Sequence, residues 1–218
     1  MVSPSSSGRA GDPLPVDPSS ALRDVDARAD PIELFGRWFD EARTAGISLP
    51  EATALATADA EGVPSVRMVL LKTADEQGFG FFTNYESRKA RELDANPRAA
   101  LCFHWTELDR QVRVSGTTRR VDADESRAYF ETRAEGSRIG AWASQQSRAL
   151  PSRDVLEERF RAYQERWAGG SIPLPPHWGG YRLHPLTIEF WQGRPDRLHD
   201  RVVFERTHEG WAVTRLYP

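Results

Sequence analysis

Along this chain the spacing of apolar residues changes from helical to strand-like and back. Leu34, Phe35, Trp38, Phe39 and Ala42 fall three and four apart, which places them on one face of a helix. Asp30-Pro31 supplies an N-cap acceptor followed by proline at the first helical position, and Gly46 supplies a stop. From residue 52 onward the period is two. ATALATA (52–58), a turn at 59–64 and SVRMVLLKT (65–73) read as a hairpin. A second turn at 75–78 leads into FGFFTN (79–84). Ser87 opens a short helix, SRKARELDAN, which Pro97 ends. AALCFHW (99–105) and QVRVSGTTRRV (111–121) are further strands, followed by helical segments at 124–132, 137–144 and roughly 152–167. The proline-rich SIPLPPHWGG then gives way to YRLHP, TIEFWQG, RVVFERT and WAVTRLYP, which read as three or four closing strands.

Many antiparallel strands with a few inserted helices predict a mainly β, α+β domain: a β-barrel with covering helices, spanning residues 30–218. Strands and helices do not alternate as a doubly wound parallel sheet requires. Neither Gly-x-Gly-x-x-Gly nor a Gly-Lys-Ser/Thr phosphate loop occurs. Residues 1–29, rich in Ser, Pro, Gly and Asp, hold too little apolar surface to offset ordering entropy and read as a disordered tail.

Composition narrows the chemistry. A net charge of -3 gives no general pull toward nucleic acid or anionic membrane, so any basic site must be local. The single cysteine, Cys102, permits no intramolecular disulfide and reads as buried and inert in its apolar strand. The five histidines lack metal-ligand spacing. With no apolar run of spanning length and no apolar core of a secretory signal, the setting expected is soluble, reducing and cytoplasmic.

Local basic clusters are present. RMVLLK (67–72) carries a cation at each end, which fits either a protected edge strand or a ligand wall. Ser87-Arg88-Lys89 puts two cations at a helix N-terminus, against the dipole; an anion there would resolve the conflict. Tyr129 and Arg133 fall four apart, expected on one helix face, with Ser137 just beyond. Gln111 could bond a heterocycle edge, and Gln146 and Ser147 could donate to a phosphate. In EFWQGRPDRLHDR (189–201), an extended 197–203 would turn Arg197, His199 and Arg201 to one face and Leu198 and Asp200 to the other. Such a face is costly to bury unless something anionic or planar lies against it.

Taken together, RMVLLK, SRK (87–89), RQV (110–112), the Tyr129/Arg133/Ser137 set, WASQQS (142–147), PPHWGGYR (175–182), EFWQG and RLHDR resemble the pyridoxamine 5'-phosphate oxidase family, from about residue 30 to 218. The resemblance implies an antiparallel FMN-binding split β-barrel, a homodimer with FMN at the subunit interface. The activity implied is oxidation of pyridoxamine or pyridoxine 5'-phosphate to pyridoxal 5'-phosphate, with O2 as acceptor and H2O2 as product. By carry-over, Arg67, Met68, Val69, Leu70, Leu71, Lys72, Phe82, Thr83, Arg88, Lys89, Gln111, Gln146, Ser147, Trp191 and Arg201 contact FMN. Lys72, Tyr129, Arg133 and Ser137 hold the substrate phosphate, while Arg197, Leu198 and His199 face the pyridine ring, with Arg197 and His199 as the catalytic pair. The chain departs from the family in two places: its N-terminal segment has no Arg-x-x-Tyr motif, and Phe82 stands where tyrosine is frequent. The alternatives are a related split-barrel flavoenzyme acting on a phenazine precursor, and a non-catalytic FMN or pyridoxal phosphate carrier.

Overall fold

Asp30 starts the first helix as its position before proline demands. Its carboxylate accepts from the Ile32 and Glu33 amides, capping α1 (Pro31–Thr44). Gly46, at φ +75°, follows the helix end. The computed structural model describes Leu22 and residues 29–218. The tail expectation therefore falls outside the described residues except at its edge. There Leu22 is buried in the core and its carbonyl accepts from Arg215.

Among the described residues nine antiparallel strands form one sheet: β1 (Ala52–Ala58), β2 (Pro64–Leu70), β3 (Thr73–Asp75), β4 (Gly78–Asn84), β5 (Arg98–Trp105), β6 (Arg110–Arg120), β7 (Trp178–Gln192), β8 (Asp200–Thr207) and β9 (Gly210–Leu216). The order is β2-β1-β5-β6-β7-β4-β3, with β8 also on β7 and β9 on β8. Four further helices are inserted: α2 (Arg88–Ala95), α3 (Ala123–Thr132), α4 (Glu135–Ala143) and α5 (Arg153–Arg166). The predicted architecture of antiparallel strands with covering helices is thus observed.

One local expectation is corrected and one is narrowed. SVRMVLLKT is not one strand: β2 stops at Leu70, the Leu71 amide bonds Glu51 and the Lys72 amide bonds Gly80. The chain changes partner there, from β1 to β4. Of the three or four closing strands expected, three are found, because YRLHP and TIEFWQG form one strand, β7, of 15 residues. Pro185 lacks a ladder donor, yet the strand continues because its register with β6 slips there: Ser115 faces Thr187 and Gly116 faces Pro185. A Cβ on Gly116 would lie 2.0 Å from the His184 carbonyl oxygen, so this close approach requires glycine.

β7 is the spine that positions the site. β6 runs along its length, whereas its opposite edge is shared, by β4 over residues 178–183 and by β8 over 187–192. The main core lies under α1. Phe35 packs edge-on against Phe79 and Phe103, and Trp38 edge-on against Phe190. Truncating a ring as buried as Phe35 costs about 3–5 kcal/mol in such settings. A smaller cluster of Phe130, Ile139, Ile172 and Trp178 joins α3, α4 and the start of β7. On β2 the alternation leaves Val66, Met68 and Leu70 exposed, at 69%, 64% and 40%. That is a contiguous apolar face on an edge strand.

Candidate functional site

A cleft of about 460 Å³ opens where the end of β2, the end of β4, the α3–α4 junction and the start of β7 meet. Met68, Val69 and Leu70 form its apolar wall. Lys72, Lys89 and Arg133 supply three cations, and no carboxylate side chain lines it. Phe82, Thr83, Tyr129, Ser137 and Gln146 complete the predicted residues that it gathers.

The cations are held by neutral groups. Ser87 caps α2, and Lys89, almost fully buried, donates from Nζ to Thr83 Oγ1 (3.1 Å), Ser87 Oγ (3.3 Å) and Gln146 Oε1 (3.2 Å). Burial, helped by the nearby Arg67 charge, lowers the Lys89 pKa to about 8 against a smaller opposing pull from Glu92. Arg133 lies at 4.8 Å over the Trp178 ring and 5.8 Å from the Phe130 ring, and its buried Nη1 has no hydrogen-bond partner. Desolvation pulls its pKa below the usual guanidinium value. Buried, unpaired cationic donors facing a concave space fit an anion.

An aromatic stack forms the floor. Phe82 lies parallel to Tyr129 at 4.1 Å and to Trp178 at 5.5 Å. Gly180 allows this, since a Cβ there would meet the Phe82 ring at 2.9 Å. The expectation that Tyr129 and Arg133 share a helix face is corrected. α3 ends at Thr132 and Arg133 is its extended C-cap, so a bend between α3 and α4, not helical spacing, brings Tyr129, Arg133 and Ser137 together.

Several predicted residues lie off the cleft. Leu71 is in the main core. Arg67 is turned inward: it donates to the Leu55 carbonyl (3.1 Å), to Thr57 and Ser65, and to Glu92 (3.1 Å). Arg88 bonds the other Glu92 oxygen at 2.7 Å. Burial pushes the Glu92 carboxyl up, but bonds from Ser65, Thr57 and Arg88 and the Arg67 charge outweigh it and bring it down to about 2. Ser147 follows Gln146 at φ +70° and does not line the cleft.

The remaining residues gather at the other end of β7. Gln111 pairs with Trp191, and Trp191 with Arg201. Arg201 donates to Glu189 (2.8 Å) and to the Tyr217 carbonyl (3.1 Å). The alternation expected for 197–203 is not observed. Pro195–Arg197 is a single tight turn, Asp196 and Arg197 have φ of +56° and +62°, and β8 begins only at Asp200. Proline fixes the entry to this turn, and the left-handed residues reverse the chain before pairing starts. Arg197 and Leu198 are exposed at its tip. His199 packs at 4.6 Å from Trp191, and its Nδ1 accepts from the Arg194 amide at 3.1 Å. That bond places the proton of a neutral ring on Nε2. Along β7, Trp191 lies 13 residue steps beyond Trp178, roughly 40 Å at the usual rise per residue.

Sequence reasoning missed Trp178, Asn84 and Ser144 in the cleft and Glu92 behind it. The signal for Trp178 was the Gly179-Gly180 pair beside it, which marks close approach: a Cβ on Gly179 would strike the Tyr85 ring. Glu92 carried no signal, because its four donors come from three different elements.

The family profile described as "Pyridoxamine 5'-phosphate oxidase" matches residues 39–167, and that of the "Pyridoxine 5'-phosphate oxidase C-terminal dimerisation region" matches residues 178–218. The chain belongs to the pyridoxamine 5'-phosphate oxidase family. Among its relatives, the pyridoxine/pyridoxamine 5'-phosphate oxidase of Cupriavidus necator is 58% identical over 91% of this chain and 93% of that protein. That of Rubrobacter xylanophilus is 54% identical over 91% and 92%. These family members are oxidoreductases by name. Among solved structures, PhzG from Burkholderia lata 383, in complex with tetrahydrophenazine-1-carboxylic acid, superposes with a TM-score of 0.84 at 34% identity, covering 88% of this chain and 95% of that one. A family-related FMN-binding protein from Nostoc punctiforme shares the fold, with a TM-score of 0.69 at 16% identity, covering 87% of this chain and 99% of that one. No helix among the described residues is long and apolar enough to cross a membrane.

Proposed function

We propose that the chain oxidises pyridoxamine 5'-phosphate and pyridoxine 5'-phosphate to pyridoxal 5'-phosphate, as a homodimer using FMN and O2. The observation that carries this reading is the cleft with three cations and no carboxylate, in a chain of this family. Two anionic groups, one on the cofactor and one on the substrate, require two basic stations. Lys89, with Arg67 and Arg88 behind it, is one; Lys72, Tyr129, Arg133 and Ser137 form the other.

The distribution of residues supports the dimer. Trp191 near the far end of β7, with Arg197, Leu198, His199 and Arg201 in the turn and strand that follow, lies too far from Trp178 to meet a small ligand held beside Arg133 in the same chain. A partner chain can bring its own set to that cleft. The exposed apolar face of β2 borders the cleft, and residues 178–218 match the dimerisation profile. Gln111, Trp191 and Arg201 then reach the flavin from the partner side, while Met68, Val69, Leu70 and Leu71 contribute chiefly backbone and apolar surface, and Phe82, Thr83, Gln146 and Ser147 the remaining contacts.

Bound FMN would supply a two-electron acceptor for the hydride leaving the substrate C4' carbon, and O2 would take up those electrons to give H2O2. The chain's residues bind and orient. Lys72, Tyr129, Arg133 and Ser137 fix the substrate phosphate. Arg197 covers the pyridine ring, beside Leu198, and His199, donating from Nε2, orients the ring's polar edge. Phe82 has no hydroxyl, so its contact is through ring and backbone.

The test is a flavin spectrum of the purified protein, followed by pyridoxamine 5'-phosphate. Bleaching without oxygen, and peroxide with an aldehyde product in air, is expected. A yellow protein inert to this substrate overturns the reading. Arg197→Ala and His199→Ala should retain FMN and lose most turnover; near-normal turnover in both rejects their roles. The likeness to PhzG favours a second reading, a phenazine-type substrate, and the same assay with tetrahydrophenazine-1-carboxylic acid separates the two.

A further inference from the structure

Most arginines that this chain places in structural positions are tied to a carboxylate. Arg67 and Arg88 pair with Glu92, Arg182 with Asp75 and Glu125, and Arg201 with Glu189. Arg133 is not. Its guanidinium has no hydrogen bond or ion pair among the described residues, although Nη1 is buried. What holds it is aromatic: the Trp178 ring at 4.8 Å and the Phe130 ring at 5.8 Å. A carboxylate would occupy the N–H donors and cancel the charge. A ring face attracts the cation and leaves every donor in the guanidinium plane unused.

The Trp178 ring is itself fixed. Its residue starts β7 opposite Asn84, and its amide bonds the Pro175 carbonyl at 3.1 Å. The ring lies parallel to Phe82 at 5.5 Å and edge-on to Phe130 at 5.2 Å, only 7% exposed. Arg133, by contrast, leaves α3 as an extended cap, with one backbone bond to Phe130. Of the two rings beside its guanidinium, Trp178 is the nearer, at 4.8 Å against 5.8 Å for Phe130.

We propose that Trp178 is a positioning residue that sets the phosphate selectivity of the site: its ring holds the Arg133 guanidinium at the cleft with no carboxylate claiming its donors, so that it can bind the substrate phosphate. This rests on the reading that Arg133 binds that phosphate. Trp178 acts through the guanidinium that it packs against.

The test compares inhibition of the FMN-loaded enzyme by pyridoxal 5'-phosphate and by pyridoxal, which lacks the phosphate. The ratio of the two inhibition constants reads phosphate recognition alone. In Trp178→Leu the ratio should fall about tenfold, the size of a desolvated cation–π contact, with the pyridoxal constant little changed and the loss in turnover falling on KM more than on kcat. Trp178→Phe should recover most of the ratio, remaining two- to threefold below the wild type because its ring face is weaker. Loss of affinity for both ligands alike, or an unchanged ratio in Trp178→Leu, overturns the proposal. Should Trp178→Leu fail to fold, Trp178→Phe decides: a ratio equal to the wild type overturns it. Arg133→Ala checks the underlying reading separately. If the wild type shows no preference for the phosphorylated ligand, or Arg133→Ala keeps that preference, the phosphate lies elsewhere and the earlier assignment fails.

Discussion

Glu92→Gln should expose how much of the stability of this fold runs through one buried carboxylate. Four donors converge on its two oxygens: Thr57 and Ser65 hydroxyls with Arg67 on one, and Arg88 at 2.7 Å on the other. The Glu92 side chain is 5% exposed, so solvent screening is slight. Its pKa, depressed from 4.5 to about 2, corresponds to about 3 kcal/mol at neutral pH. The sign follows from the direction of the shift. A carboxyl whose folded pKa lies below its unfolded value stabilises fully above about pH 4.5, and that contribution fades as pH falls toward 2. At pH 3 less than half of it remains. Urea unfolding of wild type and Glu92→Gln, at fixed protein concentration and stepped from pH 7 to pH 3, measures the gap directly. The gap should be about 3 kcal/mol or more at pH 7, since the variant leaves Arg67 without its charge partner, and should narrow by about 2 kcal/mol at pH 3. A gap that stays constant over that range refutes the reasoning, because glutamine cannot titrate and only the Glu92 proton can move it.

Other outcomes follow from the same geometry. Gly116→Ala should lower stability by about 2 kcal/mol or more, read as a drop in thermal midpoint, because its Cβ would sit 2.0 Å from the His184 carbonyl oxygen; an unchanged midpoint contradicts the bulge geometry. FMN affinity, followed by flavin fluorescence quenching, should weaken about tenfold as pH rises through 8, where Lys89 loses its proton, and Lys89→Met should bind weakly with no such step. Met68→Asp, placed on the exposed face of β2, should shift the protein to monomer in size-exclusion chromatography and lose flavin with it; a monomer that still binds FMN tightly would show the cofactor site to lie within one chain.

The sequence made the strands legible because a sheet with one buried face writes its alternation into the chain. ATALATA is β1 to the residue, and Ser87 before RKARELDA is a helix start that works as its cap. What it hid were features set by partners distant in sequence. Pro185 looked like a strand break because the bulge that accommodates it belongs to Gly116 on β6. Arg197, His199 and Arg201 looked like one extended face because positive φ at Asp196 and Arg197, neither a glycine, leaves no mark on residue type. The candidate residues were found as a set, but sequence spacing could not say that they divide between two ends of the molecule.

That division has a genetic signature. In the proposed dimer each chain lends Arg133, which packs on Trp178 at the start of β7, to one site and Arg197, in the turn just past the end of β7, to the other. A chain carrying Arg133→Ala and a chain carrying Arg197→Ala would each assemble only dead homodimers. Mixed, they pair so that both lesions fall in one site and the second is wholly intact. Two inactive alleles would then complement each other in one cell, and the activity restored would be capped at one working site per mixed dimer.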